Sequence, residues 1–167
     1  MDPFILSIED NADDIFLLGM AFRKAQVSAR MEFLQDGEQA LDYFSAPAAK
    51  PIPALLLLDL KLPKHSGLEV LAWMRGHPPL RRLPIVMLTS SNQPEDIDQA
   101  YDLGANSYLV KPGSIDELVE LARAIESYWL RANAKPTFPP ISARTTASGT
   151  RPAIITPAFT RTQPPLA

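Results

Sequence analysis

The sequence predicts an α/β domain built on an open parallel sheet with helices on both faces. Two observations carry this. Short continuous apolar runs alternate five times with helix-period segments over the first 131 residues. Strands buried on both faces read as such runs, and right-handed crossovers between them place helices on either side. A third observation is that polar residues close four of the five runs, and in such sheets functional groups gather at the carboxyl ends of the strands.

Phe4-Ile5-Leu6-Ser7-Ile8 is the first strand. Asn11 is placed to cap the next helix, and Asp13 and Asp14 suit its positive N-terminal end; both are read as helix-dipole residues. Ile15, Leu18, Phe22 and Ala25 share one face of that helix. Arg30 to Gln35 is the second strand, and Asp36-Gly37 turns the chain into a helix carrying Ala40, Leu41 and Phe44. A loop from Ser45 to Pro53 holds three prolines and leads into Ala54-Leu55-Leu56-Leu57-Leu58, the third strand, which ends in Asp59. A helix is expected from about Gly67 to Arg75, then a strand over Pro84 to Leu88 ending in Thr89-Ser90-Ser91. Pro94 to Leu103 is the fourth helix, stopped by Gly104. Ser107 to Val110 is the fifth strand. The last helix runs from about Ser114 to Arg131, with Leu118, Leu121, Ala122, Ile125 and Trp129 inward.

Composition divides the chain. Residues 1–131 hold 12 Lys and Arg and all 19 Asp and Glu, a formal charge of −7. Residues 132–167 carry Lys135, Arg144, Arg151 and Arg161, no acid and seven prolines, and are expected to be a basic tail, extended or disordered. Its apolar pieces, Phe138 among them, are candidates to dock on the domain or a partner. An acidic domain argues against nucleic-acid binding. The absence of cysteine excludes disulfides and thiolate chemistry. No signal peptide or membrane-length apolar run is visible, so the expectation is a cytoplasmic protein with no membrane partner. His65 and His77 are read as exposed loop residues, and Tyr128 and Trp129 as packing on the sheet or on a second subunit.

The strand ends carry Glu9-Asp10, Asp59, Thr89 and Lys111. Neighbouring carboxylates need a counter-charge. All-oxygen ligation suits Mg²⁺. A lysine and a hydroxyl beside them complete a phosphoryl-transfer site in which a carboxylate is itself the nucleophile. Each element also has a plain structural reading: a strand-end turn, a loop hydroxyl, a surface charge. The set gains weight jointly.

The ordered motifs Ile8-Glu9-Asp10-Asn11, Leu57-Leu58-Asp59-Leu60-Lys61-Leu62-Pro63 with Gly67, Val86-Met87-Leu88-Thr89-Ser90 and Tyr108-Leu109-Val110-Lys111-Pro112 resemble the response-regulator receiver family of two-component signalling. Thr89 and Lys111 follow Asp59 by 30 and 52 residues, as that family has them. The resemblance covers residues 3–131 and implies a flavodoxin-like fold with strand order 2-1-3-4-5. It implies Asp59 as phosphoacceptor. Asp10, Asp59 and the Lys61 backbone carbonyl would be Mg²⁺ ligands, with Glu9 acting through a metal-bound water. Thr89 and Lys111 would contact the phosphoryl group, Thr89 and Tyr108 would form the switch, and Lys61 and Ser91 would tune the rate of phosphoryl loss. Small Ser90 would leave the site open to a phosphodonor. The resemblance also implies a cis Lys111–Pro112 bond. His65-Ser66-Gly67 departs from the acidic residue many relatives carry before the glycine.

Glu9-Asp10-Asn11 with Asp14, the proline-bearing loop before strand three, Tyr101-Asp102-Leu103-Gly104-Ala105-Asn106 and Ile125 to Leu130 resemble the stand-alone regulators of bacterial phytochrome histidine kinases. That implies a partner histidine kinase of the phytochrome type. It also implies a signal read out by association, as a homodimer formed through helix four, strand five and helix five or through the C-terminal tail. The chain itself would be a phosphoacceptor and not an enzyme acting on other substrates. A scaffold that works without phosphorylation is the competing class. An aspartyl-phosphate hydrolase is disfavoured because Lys61 stands where those enzymes place a second aspartate.

Overall fold

In the computed structural model the described residues are 3–45 and 50–138. The elements follow the order β1 (Phe4–Ile8), α1 (Ala12–Lys24), β2 (Arg30–Leu34), α2 (Gly37–Ser45), β3 (Leu55–Leu58), α3 (Gly67–Gly76), β4 (Ile85–Thr89), α4 (Pro94–Asp102), β5 (Ser107–Val110) and α5 (Ile115–Ile125). The five strands are parallel, in the order β2-β1-β3-β4-β5. This is the flavodoxin-like doubly wound sheet that the sequence predicts. The expected tail beyond residue 138 and the loop residues 46–49 lie outside the described residues.

Side chains alternate across a strand, so each central strand supplies both cores. Leu6, Ile8, Leu56, Leu58, Ile85 and Met87 pack with Ala40 and Leu41 of α2, Val70, Leu71 and Met74 of α3 and Ala100 of α4. Ile5, Leu55, Leu57, Val86 and Leu88 pack with Leu18 and Phe22 of α1 and Ala122 and Ile125 of α5. The four leucines of β3 are therefore divided two and two between opposite faces. Fully burying one such side chain stabilises the fold by about 1.5–3 kcal/mol.

Helix ends follow the sequence closely. Asn11 caps α1 by accepting from Asp14 N, and Ser66 and Glu69 form a reciprocal capping box on α3. Gly104, at φ +95°, ends α4, with Gly104 N and Ala105 N donating to Tyr101 O and Ala100 O. Phe138 packs against the core on the α2–α3 side, so the start of the tail docks on the domain itself.

Several expectations are corrected. The last helix is not uniform: α5 continues as a π-helical segment over Glu126–Ala132. Its first residue is drawn inward, because the buried Glu126 carboxylate accepts from Ser28 N and Ser28 Oγ, each at 3.0 Å, and from Arg131 at 3.2 Å. The Lys111–Pro112 bond is trans, with no cis peptide among the described residues. The trans form is favoured by about 0.5–1 kcal/mol for such bonds, and from it the lysine already reaches its carboxylate partners. His65 and His77 are half-buried instead of exposed. The His65 carbonyl abuts Gly37, and His77 stacks on Trp73 at 3.9 Å between ring centroids. Trp129 packs against the α1–α5 core as expected, and Tyr128 is exposed, which leaves it only the second-subunit alternative.

Replacing Leu57 by Ala should cost about 2–5 kcal/mol of unfolding free energy, through lost burial and a residual cavity; urea denaturation measures it. A loss below about 1 kcal/mol would contradict a close-packed β3. The hydrogen bonds from Ser28, with those from Arg131, lower the Glu126 pKa below its ordinary 4.5, against the opposing effect of burial. A depressed folded-state pKa contributes stability that is complete above pH 4.5 and is lost as pH falls through the folded value. Glu126→Gln should therefore flatten the stability profile below that pH, and an unchanged acid limb would refute the assignment.

Candidate functional site

The ladder itself assembles the site. Ile8 pairs with Leu58, Leu58 with Met87, and Thr89 with Val110, so the residues that follow these strands emerge side by side. Asp59 N donates to Ile8 O at 3.1 Å, and Lys111 N donates to Thr89 O at 2.8 Å. A cavity of about 460 Å³ opens at this end, lined by Glu9, Asp10, Asp14, Asp59, Lys61, Thr89, Ser91 and Lys111 among others.

Lys111 is the hub. Its ammonium group donates to Glu9 Oε2, to Asp14 Oδ2 at 2.8 Å and to Asp59 Oδ2 at 3.1 Å. Burial works to lower its pKa. The hydrogen bonds to Asp14 and Glu9 and the charges of Asp59 and Glu9 outweigh burial, and hold the group well above its ordinary value. Glu9 is almost wholly buried, and burial raises its carboxyl pKa, as does the Asp59 charge. Lys111 and the Asn11 amide, which donates to Glu9 Oε1 at 3.1 Å, pull the other way. Asp59 is buried too, its Oδ1 accepting from Leu60 N at 2.7 Å.

The carboxylate oxygens of Glu9, Asp10 and Asp59 lie within 4.8 Å of one another. This all-oxygen anionic set fits a hard divalent cation. Asp10 is exposed at the cavity mouth while Glu9 and Asp59 form its floor. Thr89 is 1% exposed. Tyr108 is half-buried, and its hydroxyl donates to Ser91 O at 3.0 Å. Burial raises the phenol pKa, the hydrogen bond to Ser91 lowers it, and the charges of Asp96 and Asp59 add to the rise.

Glu9, Asp10, Asp59, Lys61, Thr89, Ser90, Ser91 and Lys111 all line this cavity, whereas Tyr108 lies back on β5 and touches the cavity wall through Ser91 O. Two contributions are not visible in the sequence. Asp14, read as a dipole residue, is also a direct partner of Lys111, and nothing in the neighbouring sequence marks it for that role. The other is a clamp on the β3–α3 loop. Lys64, at φ +66°, bridges Asp36 at 2.9 Å and Glu38 at 3.1 Å. Gly37 N donates to Pro63 O at 3.3 Å. Two glycines permit this closeness: a Cβ on Gly37 would lie 2.1 Å from His65 O, and one on Gly67 would lie 1.9 Å from Asp59 O.

The fold and site define a doubly wound domain with an acidic cation pocket facing a half-buried lysine. Residues 5–123 match the response regulator receiver domain, and the chain belongs to that family. It is 41% identical over 138 residues to a probable methanogenesis regulatory protein, FilR2, of Methanothrix harundinacea, covering 81% of this chain and 89% of that protein. It is 35% identical to the response regulator Rcp1 of Synechocystis, covering 79% of this chain and 92% of that protein. The crystal structure of the phosphorylated cyanobacterial phytochrome response regulator RcpA superposes with a TM-score of 0.75 at 35% identity, covering 82% of this chain and all of that one. The structural relatives of this chain thus include a phytochrome response regulator. The Glu9–Asp10–Asp59 cluster is the acidic pocket at which receiver domains bind Mg²⁺ or Mn²⁺. No helix among the described residues is long and apolar enough to cross a membrane.

Removing the ammonium with Lys111→Ala should tighten divalent-cation binding on the order of tenfold, because a fixed positive charge beside the cation is lost. Calorimetric titration with Mn²⁺ reads this, and weaker binding would show that Lys111 organises the pocket more than it repels the metal.

Proposed function

We propose that this chain is a phosphoacceptor response regulator, which takes a phosphoryl group from a histidine kinase onto Asp59 in a Mg²⁺-dependent reaction. The observation that carries it is the convergence of Glu9, Asp10, Asp59, Thr89 and Lys111 on one cavity from four strand ends. An Asp59 carboxylate oxygen attacks the phosphorus of a phosphohistidine. The P–N bond breaks, its electron pair returns to the imidazole nitrogen, and an aspartyl phosphate remains.

Asp10, Asp59 and the Lys61 backbone carbonyl would hold the cation, with Glu9 reaching it through water. Bound there, Mg²⁺ supplies positive charge against the charge spreading over the transferring oxygens. Lys111 exchanges part of its present carboxylate contacts for a phosphoryl oxygen. Thr89 donates its hydroxyl to another. Tyr108 then responds to the movement of the β4–α4 loop, and Lys61 and Ser91, which line the same cavity, influence how long the group survives. A phytochrome-type kinase is the favoured donor, from the similarity to RcpA and Rcp1.

Added charge of about −1.5 to −2 at Asp59 shifts a two-state equilibrium on the α4–β5–α5 face. That face exposes Tyr101 and Val110, 51% and 44% accessible, as an apolar surface for a second copy of the chain. Association there would carry the signal in the cytoplasm. A dimer through the C-terminal tail would use residues beyond 138, which lie outside those described.

With phosphoramidate and Mg²⁺, the wild-type protein should gain a phosphoryl label that alkali and hydroxylamine remove, and Asp59→Asn should not. Equal labelling of both would sink the assignment. Sedimentation with and without a phosphoryl mimic reads the association, and a mass that never changes would remove the dimer from the account.

A further inference from the structure

We propose that Asp96 is a positioning residue for loss of the phosphoryl group from Asp59, acting through the Ser91 hydroxyl. This rests on the phosphoacceptor reading above and adds a residue of α4 to it.

Ser91 lines the cavity that holds Asp59 and Thr89. Its hydroxyl donates to Asp96 Oδ2 at 2.5 Å and accepts from Gln93 N at 3.3 Å. Its own N–H faces Thr89 Oγ1 at 3.5 Å, and its carbonyl accepts from the Tyr108 hydroxyl at 3.0 Å. Each polar group of this one residue is thus engaged, and the partners belong to β4, β5 and α4.

The start of α4 explains why the arrangement is stable. Its N-cap residue, Gln93, makes no side-chain capping bond, and Pro94 opens the helix. Asp96, in the first turn, reaches back past the cap to Ser91. A carboxylate there is favoured by the positive end of the helix, and a hydrogen bond to an ionised acceptor is stronger than a neutral one. Asp96 is half-buried, so water competes for it less than for an exposed side chain.

The chemical consequence follows from the single proton of the hydroxyl. When an aspartyl phosphate is hydrolysed, water oxygen bonds to phosphorus, the bond between phosphorus and the aspartate oxygen breaks, and its electron pair returns to the Asp59 carboxylate. Inorganic phosphate leaves with the oxygen and both protons of the water, one of which passes to solvent near neutral pH. A hydroxyl on the cavity wall accelerates this by orienting the water. With its proton donated to Asp96 and its oxygen accepting from Gln93, the Ser91 hydroxyl is turned away from that task. Asp96 therefore prolongs the phosphorylated state.

The full chain is labelled with phosphoramidate and Mg²⁺, the donor removed, and decay of the label followed in wild type, Asp96→Ala, Asp96→Asn, Ser91→Ala and the double variant Ser91→Ala with Asp96→Ala. Asp96→Ala should shorten the lifetime roughly threefold or more, within the range of coupling between contacting residues. Asp96→Asn, whose amide oxygen accepts the same bond, should stay near wild type. In the Ser91→Ala background the Asp96→Ala change should have no effect. An unchanged lifetime in Asp96→Ala, or the same change with and without the Ser91 hydroxyl, overturns the proposal while leaving the phosphoacceptor reading intact. A wild type that takes no label overturns both. Should Asp96→Ala fail to fold, Asp96→Leu makes the same comparison.

Discussion

The ammonium group of Lys111 holds the working end of this protein together. Glu9, Asp14 and Asp59 approach one another from three segments of chain, and each would repel the others without it. Burying an unpaired charge is costly, and breaking one partner of a buried pair costs about 3–5 kcal/mol. The lysine and the carboxylates are thus mutually obligatory in this state. The same contacts make the cluster responsive: a cation or a phosphoryl group competes directly for groups that are now satisfied by each other.

Around this hub, rigidity is distributed unevenly. The floor is fixed by the ladder, since Asp59 and Lys111 are each tied by a backbone hydrogen bond to the neighbouring strand. The β3–α3 loop is held from the side by Lys64 on Asp36 and Glu38, and from below by two glycines that allow backbone to touch backbone. The β4–α4 loop depends on side-chain bonds at Ser91. Such bonds are exchanged more readily than a strand ladder. This places the adaptable part of the site beside Thr89 and Tyr108, and the fixed part beneath Asp59.

Much of this was legible in the sequence. The leucines from Leu55 to Leu58 would also suit a helix, but Pro53 and Pro63 on either side favour a strand buried on both faces, and the sheet order brings its terminal Asp59 to Glu9, Thr89 and Lys111. The helix stop at Gly104 and the cap at Asn11 follow from local chemistry that a short window contains. What escaped reading has no local signature. Asp14 looks the same whether it serves a helix dipole or a lysine 97 residues away. Asp36 and Lys64 meet only because α2 and the β3–α3 loop are neighbours in space. The Glu126 carboxylate that opens the π-helical turn finds its partner in Ser28, 98 residues away.

The sheet has one further property, which belongs to β2. This strand pairs only with β1 among the described residues and forms an edge of the sheet. An edge strand is a template for adding strands from other molecules. Here it is short, and it carries Arg30 and Glu32 joined at 2.9 Å, with the Arg30 guanidinium also over the Phe4 ring. Any strand added alongside would have to desolvate that ion pair. The chain is therefore guarded against strand addition at the edge remote from β5.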